Sequence, residues 1–339
     1  MAELFSSLQI KGLTLKNRLV MPPMALDNAA ENGEITEEQI DHYTVRARPD
    51  NILNTGIGLI IVEHTFIHPK GKSHVRQLGI DDDAKISGLK YMTEAVHQEG
   101  VPLGIQITHA GARALYNPVA PSAEFCPHII RNKPMTDPND PPHELTVAEI
   151  SDIIQYFADA ARRAKKAGFD LIEIHGAHGY LLNQFYSPLT NKRTDNYGGS
   201  LVNRMRFPCE VISAVREAVG SDMPVFYRLG ADDRLPGGTT IQDSIEAVPY
   251  FIKAGIDCLD LSGGICGYLK NGPEAFFAYM AEALKPVVHI PVLVTGGIKT
   301  VQTAVELVKN DTTDLVGVGR AMLSDPDWAR NARKAVSPC

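Results

Sequence analysis

Two histidines and a tyrosine fall within six residues at His175-Gly-Ala-His178-Gly-Tyr180, directly after the apolar run at 171–174. Polar chemistry at the mouth of a buried strand marks a candidate site. Two neutral imidazoles can hold a carbonyl or nitro oxygen by hydrogen bonds, and a phenol two residues further on can donate a proton. The same His-x-x-His pair is also half of a metal site. Zinc, however, needs a third protein ligand and an outer shell, and no HExxH or neighbouring Cys/His group supplies them. Tyr180 has a plain alternative too, as an amphipathic ring covering a pocket wall. A second candidate is Arg228, at the end of the apolar run PVFY (224–227). A guanidinium there needs an anionic or electron-rich partner to be worth burying, either a ligand or a local acid such as Asp232. Third, Thr295-Gly296-Gly297-Ile298 and Gly317-Val318-Gly319-Arg320 both precede helical segments. Glycine backbone N–H groups, helix N-termini and an arginine fork are the parts of a phosphate site, and indicate a phosphate-bearing ligand without naming it.

Something must position these groups. Short runs rich in Val, Ile and Leu predict strands at 19–24, 58–63, 103–108, 171–175, 225–230, 258–262, 292–295 and 315–319. Helical patterns predict helices at 37–51, 86–98, 146–167, 203–219, 240–254, 274–284 and 301–309. Strands apolar on both faces, alternating with helices, must lie parallel and covered. Eight of them close a TIM (β/α)8 barrel, with an open doubly wound sheet as the alternative. In a barrel the strand C-termini converge on one face, which is where Gln106, His175 and Arg228 fall. Alternation along each strand puts Glu173 with His175, and Phe226 with Arg228. Residues 8–17 predict an N-terminal hairpin around Gly12 that closes the bottom. The proline-rich stretch at 112–145, after the third strand, is too long for a plain turn and predicts a lid or substrate wall over the active face.

Composition narrows the function classes. A length of 339 residues with 44% hydrophobic content suits one barrel domain spanning 1–339. A net charge of −7 leaves no overall basic surface to neutralise phosphates, so nucleic acid is not an expected partner. No apolar run reaches the roughly 20 residues of a membrane span, and the start lacks the form of a signal peptide, so a cytoplasmic location is expected. The five cysteines show no CxxC spacing and are expected to be reduced thiols.

HGAHGYLLNQF followed by RTDNYGGSLVNRMRF closely resembles the signature of the old yellow enzymes, FMN-dependent NAD(P)H:ene oxidoreductases, and the barrel of 2,4-dienoyl-CoA reductase-like flavoproteins is similar. The resemblance runs from LKNRLVMPPM to GRAMLSDPDW. It implies non-covalent FMN, NADH or NADPH as hydride donor, and a small activated alkene as substrate. It places Pro22, Pro23, Met24 and Ala25 against the isoalloxazine, Gln106 on its pyrimidine ring and Arg228 near N1. Gly296, Gly297, Gly319 and Arg320 would grip the FMN phosphate. His175 and His178 would hold the substrate oxygen, with Tyr180 as proton donor. The chain departs from the family at Ala25, where some members carry Cys or Thr, and at His64, where relatives often have Ala or Gly beside the flavin. Tyr268 stands where larger relatives place a second acid, and lines the pocket or substitutes for it. A flavin dehydrogenase acting oxidatively on a steroid or amine, and a metal-dependent barrel hydrolase, are the competing functions; homo-oligomerisation is open.

Overall fold

The computed structural model describes residues 3–49, 56–123, 141–269 and 271–336. Eight parallel strands close a barrel: β1 Leu19–Met21, β2 Leu59–Phe66, β3 Leu103–Thr108, β4 Leu171–Gly176, β5 Val225–Asp232, β6 Cys258–Gly263, β7 Val292–Thr295 and β8 Leu315–Gly317, with β8 pairing back onto β1. This is the TIM barrel expected from the strand count. β1 stops at Met21 instead of running to residue 24, because Pro22 and Pro23 have no N–H to give the ladder.

The alternation along each strand sorts side chains into two environments. Ile172 and Ile174 of β4, and Tyr227 and Leu229 of β5, join the large core shared with the helices. Their neighbours Leu171 and Phe226 belong to a separate cluster with Val20, Leu59, Cys258, Leu293 and Leu315. The hairpin Leu8–Ile10 with Leu13–Leu15 seals this second cluster, pressing Ile10 and Leu15 onto it. One end of the barrel is therefore an apolar plug. Further along the same inner face the residue types turn polar, through Glu173 and Arg228 to His175.

Helices are set by local signals. Thr36, Thr146 and Thr240 form reciprocal capping boxes with Gln39, Glu149 and Asp243 at the starts of Glu37–Ala47, Val147–Lys166 and Ile241–Ala254. The expected helix at 274–284 is confined to Ala278–Leu284. Within the described residues no helix is long and apolar enough to cross a membrane.

The long connection after β3 is tied at both ends. Val119–Ala120 pairs with His143–Glu144, and Arg193 donates to the Pro121 carbonyl at 2.8 Å and the Leu145 carbonyl at 2.6 Å while pairing with Asp195. The NKRTDNYGG segment thus clamps this connection as well as leading into the helix Leu201–Val219. Residues 124–140, the middle of the expected lid, lie outside the described residues.

Candidate active site

At the C-terminal end of the strands opens a cavity of about 510 Å³. Its floor is formed after β1 by Pro22–Ala25, from β3 and β5 by Gln106 and Arg228, and after β7 and β8 by Gly296, Gly297, Gly319 and Arg320. His64, His175, His178, Tyr180 and Tyr268 stand around it. Every site residue picked out from the sequence borders this one space.

The His175–Tyr180 turn has a specific local cause. His178 and Gly179 are both left-handed, with φ of 57° and 70°, so the chain reverses out of β4 and starts the helix Leu181–Tyr186 at Tyr180. A non-glycine residue in that region is strained, and surrounding bonds hold it there. The His178 N–H donates to the Gly263 carbonyl at 3.1 Å, and the His178 carbonyl accepts from Arg113 Nη1 at 2.7 Å. The result is a compact cluster: the His175 ring lies 5.1 Å from that of His178 and 4.9 Å from that of Tyr180, and His178 Nε2 is 2.7 Å from Ser262 Oγ. His175 Nδ1 is buried with no hydrogen-bond partner in the protein.

Burial decides the charge of these rings. It holds His175 well below the ordinary histidine range, with His178 and Arg228 adding to the effect. It lowers His64 to about 3, with His74, Arg113 and Arg228 contributing. Both rings are neutral near pH 7, acting as hydrogen-bonding groups and not as cations.

Below them lies a buried polar layer. Gln106 Nε2 donates to Glu173 Oε1 at 2.7 Å. Arg228 Nε comes within 3.3 Å of Asp260 Oδ2, yet neither atom completes a hydrogen bond there, so the contact is an ion pair and no more. The acid that neutralises Arg228 is thus Asp260, on the neighbouring strand, and not Asp232. Burial raises Asp260 to about 6 against the pull of Arg228, and raises Glu173 further, with the Asp260 charge adding to it. Burial and the neighbouring Asp260 carboxyl thus both disfavour ionisation of Glu173, while Arg228 pulls the other way.

The glycine floor is shaped by what it lacks. At Gly297, φ is 71°, and a Cβ would meet the Phe276 ring at 2.5 Å; at Gly319 it would come within 3.0 Å of Met24 Sδ. Only bare backbone leaves this floor open. An unpartnered guanidinium nitrogen, an amide at the floor and a glycine-lined recess fit a flat, polar ring system carrying a phosphate. The donor set suits FMN. For a metal it is poor: among the described residues there is no cluster of three His, Cys, Asp or Glu side chains that could hold one.

Sequence reading missed several neighbours. Arg113, Ser262, His74 and Phe276 all border the cavity. Arg113 and His74 come from loops with no strand signal, and the register slip between Val62 and Thr65 of β2 is a bulge at His64 that no residue type announces. A second depression of about 630 Å³ shares Phe276 with the first, but its Asp232 is already engaged by Tyr279 Oη at 2.9 Å, and it gathers no comparable set of chemical groups.

Residues 3–337 match the model of the NADH:flavin oxidoreductase / NADH oxidase family. The chain is 40% identical to an NADH oxidase of Thermoanaerobacter brockii over 98% of its own length and 50% of that protein. It is also 40% identical to an NADPH dehydrogenase of Halalkalibacterium halodurans, covering 97% of this chain and 94% of the relative. It thus spans half the length of one of these relatives and nearly all of the other. The solved structure of an old yellow enzyme homologue from Zymomonas mobilis superposes with a TM-score of 0.83 at 28% identity, covering 100% of this chain and 94% of that one.

Proposed function

The chain belongs to the NADH:flavin oxidoreductase / NADH oxidase family, and from that premise we propose that it is an ene-reductase using FMN with NADH or NADPH to reduce an activated alkene. Bound FMN supplies the hydride chemistry, between the nicotinamide and the β-carbon of the substrate. The protein's own residues do the rest. Pro22, Pro23, Met24 and Ala25 form the shelf for the ring, Gln106 and Arg228 meet its polar edge, and Gly296, Gly297, Gly319 and Arg320 take the phosphate.

His175 and His178 donate to the substrate's electron-withdrawing oxygen. Because the fold presets them, their dipoles favour charge developing on that oxygen without reorganising first. Tyr180 gives its hydroxyl proton to the α-carbon. Tyr268, more exposed than the rest, lines the outer wall and contacts substrate. The observation that carries this reading is the pairing of the Tyr180 phenol with the unpartnered, neutral His175 ring 4.9 Å away, on one wall of the cavity.

Anaerobic stopped-flow with NADH or NADPH, followed by 2-cyclohexenone, separates the two half-reactions. Tyr180→Phe is expected to slow re-oxidation by the enone by about 10²- to 10⁴-fold, the usual worth of a general acid, and to leave reduction by the nicotinamide within about twofold. Equal losses in both half-reactions would overturn the acid assignment. A protein that takes up no FMN on titration would overturn the whole proposal.

A further inference from the structure

The bulge in β2 sends two neighbours opposite ways: His64 faces the cavity, 3.3 Å from Tyr180 Oη, and Glu63 faces the helix Glu37–Ala47. Glu63 is fully buried and is not part of the cavity wall. Its carboxylate instead reaches the chain just behind the FMN shelf. Oε2 accepts the Leu26 N–H at 3.1 Å, and Oε1 accepts from Gln39 Nε2 at 2.8 Å. Gln39 cannot turn its amide round, because its Oε1 takes the Thr36 N–H at 3.2 Å. Both partners of the carboxylate are therefore donors, and the Asp27 N–H also favours the anion.

The shelf needs such an anchor. β1 stops at Met21, Pro22 and Pro23 carry no N–H, and the turn that follows holds Asp27 at a left-handed φ of 55°. A non-glycine residue stays there only when its surroundings hold it. On the outer side Arg76 does so: its N–H donates to Asp27 Oδ1 at 3.2 Å and its Nη2 to the Asn28 carbonyl at 3.1 Å. On the inner side the grip is Glu63. The groups that face Glu63 are Gln39 and Tyr43 of the helix, with Tyr43 Oη accepting the Glu63 N–H at 3.1 Å, and Asp27 of the turn. His74 lies 3.8 Å from Asp27, on the outer side with Arg76.

We infer that Glu63 is the positioning residue of the FMN shelf: its ionised carboxylate fixes the turn behind Pro22–Ala25, and FMN is held tightly only while that charge is present. The role rests on Pro22–Ala25 being the shelf. A proton added to either oxygen would point at a group that is itself a donor, so one hydrogen bond must break and the turn is freed at Leu26 or at the helix. Burial raises Glu63 to about 7 against the pull of the Leu26 and Gln39 donors, with the Asp27 charge adding to the rise. Above pH 7 the carboxylate is therefore charged and the turn fixed. As pH falls through 7 it takes up a proton, FMN binding has to expel that proton, and affinity for FMN declines.

Dilution of the FMN-loaded enzyme at pH 6 to 8, with released FMN read by its fluorescence, gives Kd at each pH. Glu63→Gln keeps the shape of the side chain without its charge. The wild type's advantage in FMN affinity over this variant is expected to be largest at pH 8 and to shrink about tenfold by pH 6, one proton's worth. The FMN phosphate titrates in the same range, and the ratio of the two proteins at each pH removes its contribution. Two further variants move the midpoint in opposite directions, whether or not Glu63→Gln folds. Asp27→Asn, tolerated at a left-handed φ, removes the like charge and should lower it; Gln39→Met removes a donor to the anion and should raise it. A merely structural contact would move neither. A ratio that stays constant with pH, or midpoints unmoved in both Asp27→Asn and Gln39→Met, overturns Glu63 as the positioning residue and leaves the FMN shelf standing. A wild type that retains no FMN at any pH overturns the shelf as well.

Discussion

The two ends of the barrel are built from the same strands but obey opposite rules. At the hairpin end, Leu59, Leu171, Phe226 and Leu293 meet Ile10 and Leu15 in an apolar plug. At the other end, the same β4 and β5 carry Glu173, His175 and Arg228, several of whose polar atoms have no partner in the protein. The plug gains from burial and needs nothing else. The site forgoes that gain, keeping buried polar atoms available to whatever enters. The step from one regime to the other takes two residues along a strand: Leu171 to Glu173, Phe226 to Arg228.

That contrast can be broken from either end. Phe226→Ala removes a fully buried ring from the plug and should cost about 3–5 kcal/mol of stability, read as a lowered midpoint in urea, while protein that remains folded re-oxidises with enone at the wild-type rate. A comparable loss of intrinsic activity in the folded fraction would show that the plug also shapes the site. Gly297→Ala should do the reverse in kind. Its side chain meets Phe276 and takes up a left-handed φ, so FMN binding is expected to weaken by about tenfold or more, for roughly 1–3 kcal/mol of stability. FMN titration by fluorescence quenching checks the first, and denaturant unfolding of the FMN-free protein the second.

The smallest effect is in proton linkage. Burial holds His64 at about 3, below its unfolded value near 6.5, so the unfolded chain binds the extra proton and stability is lost as pH falls from about 6.5 toward 3. His64→Gln removes that proton. The fall of unfolding free energy with decreasing pH should then be shallower by up to about 1.4 kcal/mol per pH unit in that window. Phe226→Leu, at the plug, should leave the slope unchanged. Identical slopes for wild type and His64→Gln would mean the ring is not buried as neutral imidazole.

Much of this was legible in the sequence. Periodicity and strand count were enough for the barrel, because strands covered on both faces must be apolar throughout. The HGAHGY turn and the two glycine turns stood out because polar or bare residues at strand ends contradict a core. The clamp by Arg193 was harder: its partners Pro121 and Leu145 lie far off in sequence, so the segment reads as a turn alone.

What the sequence determined by itself was the type of each element and the kind of residue at each strand end, since both depend on local spacing. Only the tertiary structure decided which of those groups meet. Asp260 neutralises Arg228 because β5 and β6 pair in register, a relation no local pattern encodes. His64 reaches Tyr180 across 116 positions of chain because a bulge shifts β2 and the barrel closes. Distances between strands, and the burial that keeps these rings neutral, exist only once the sheet is shut.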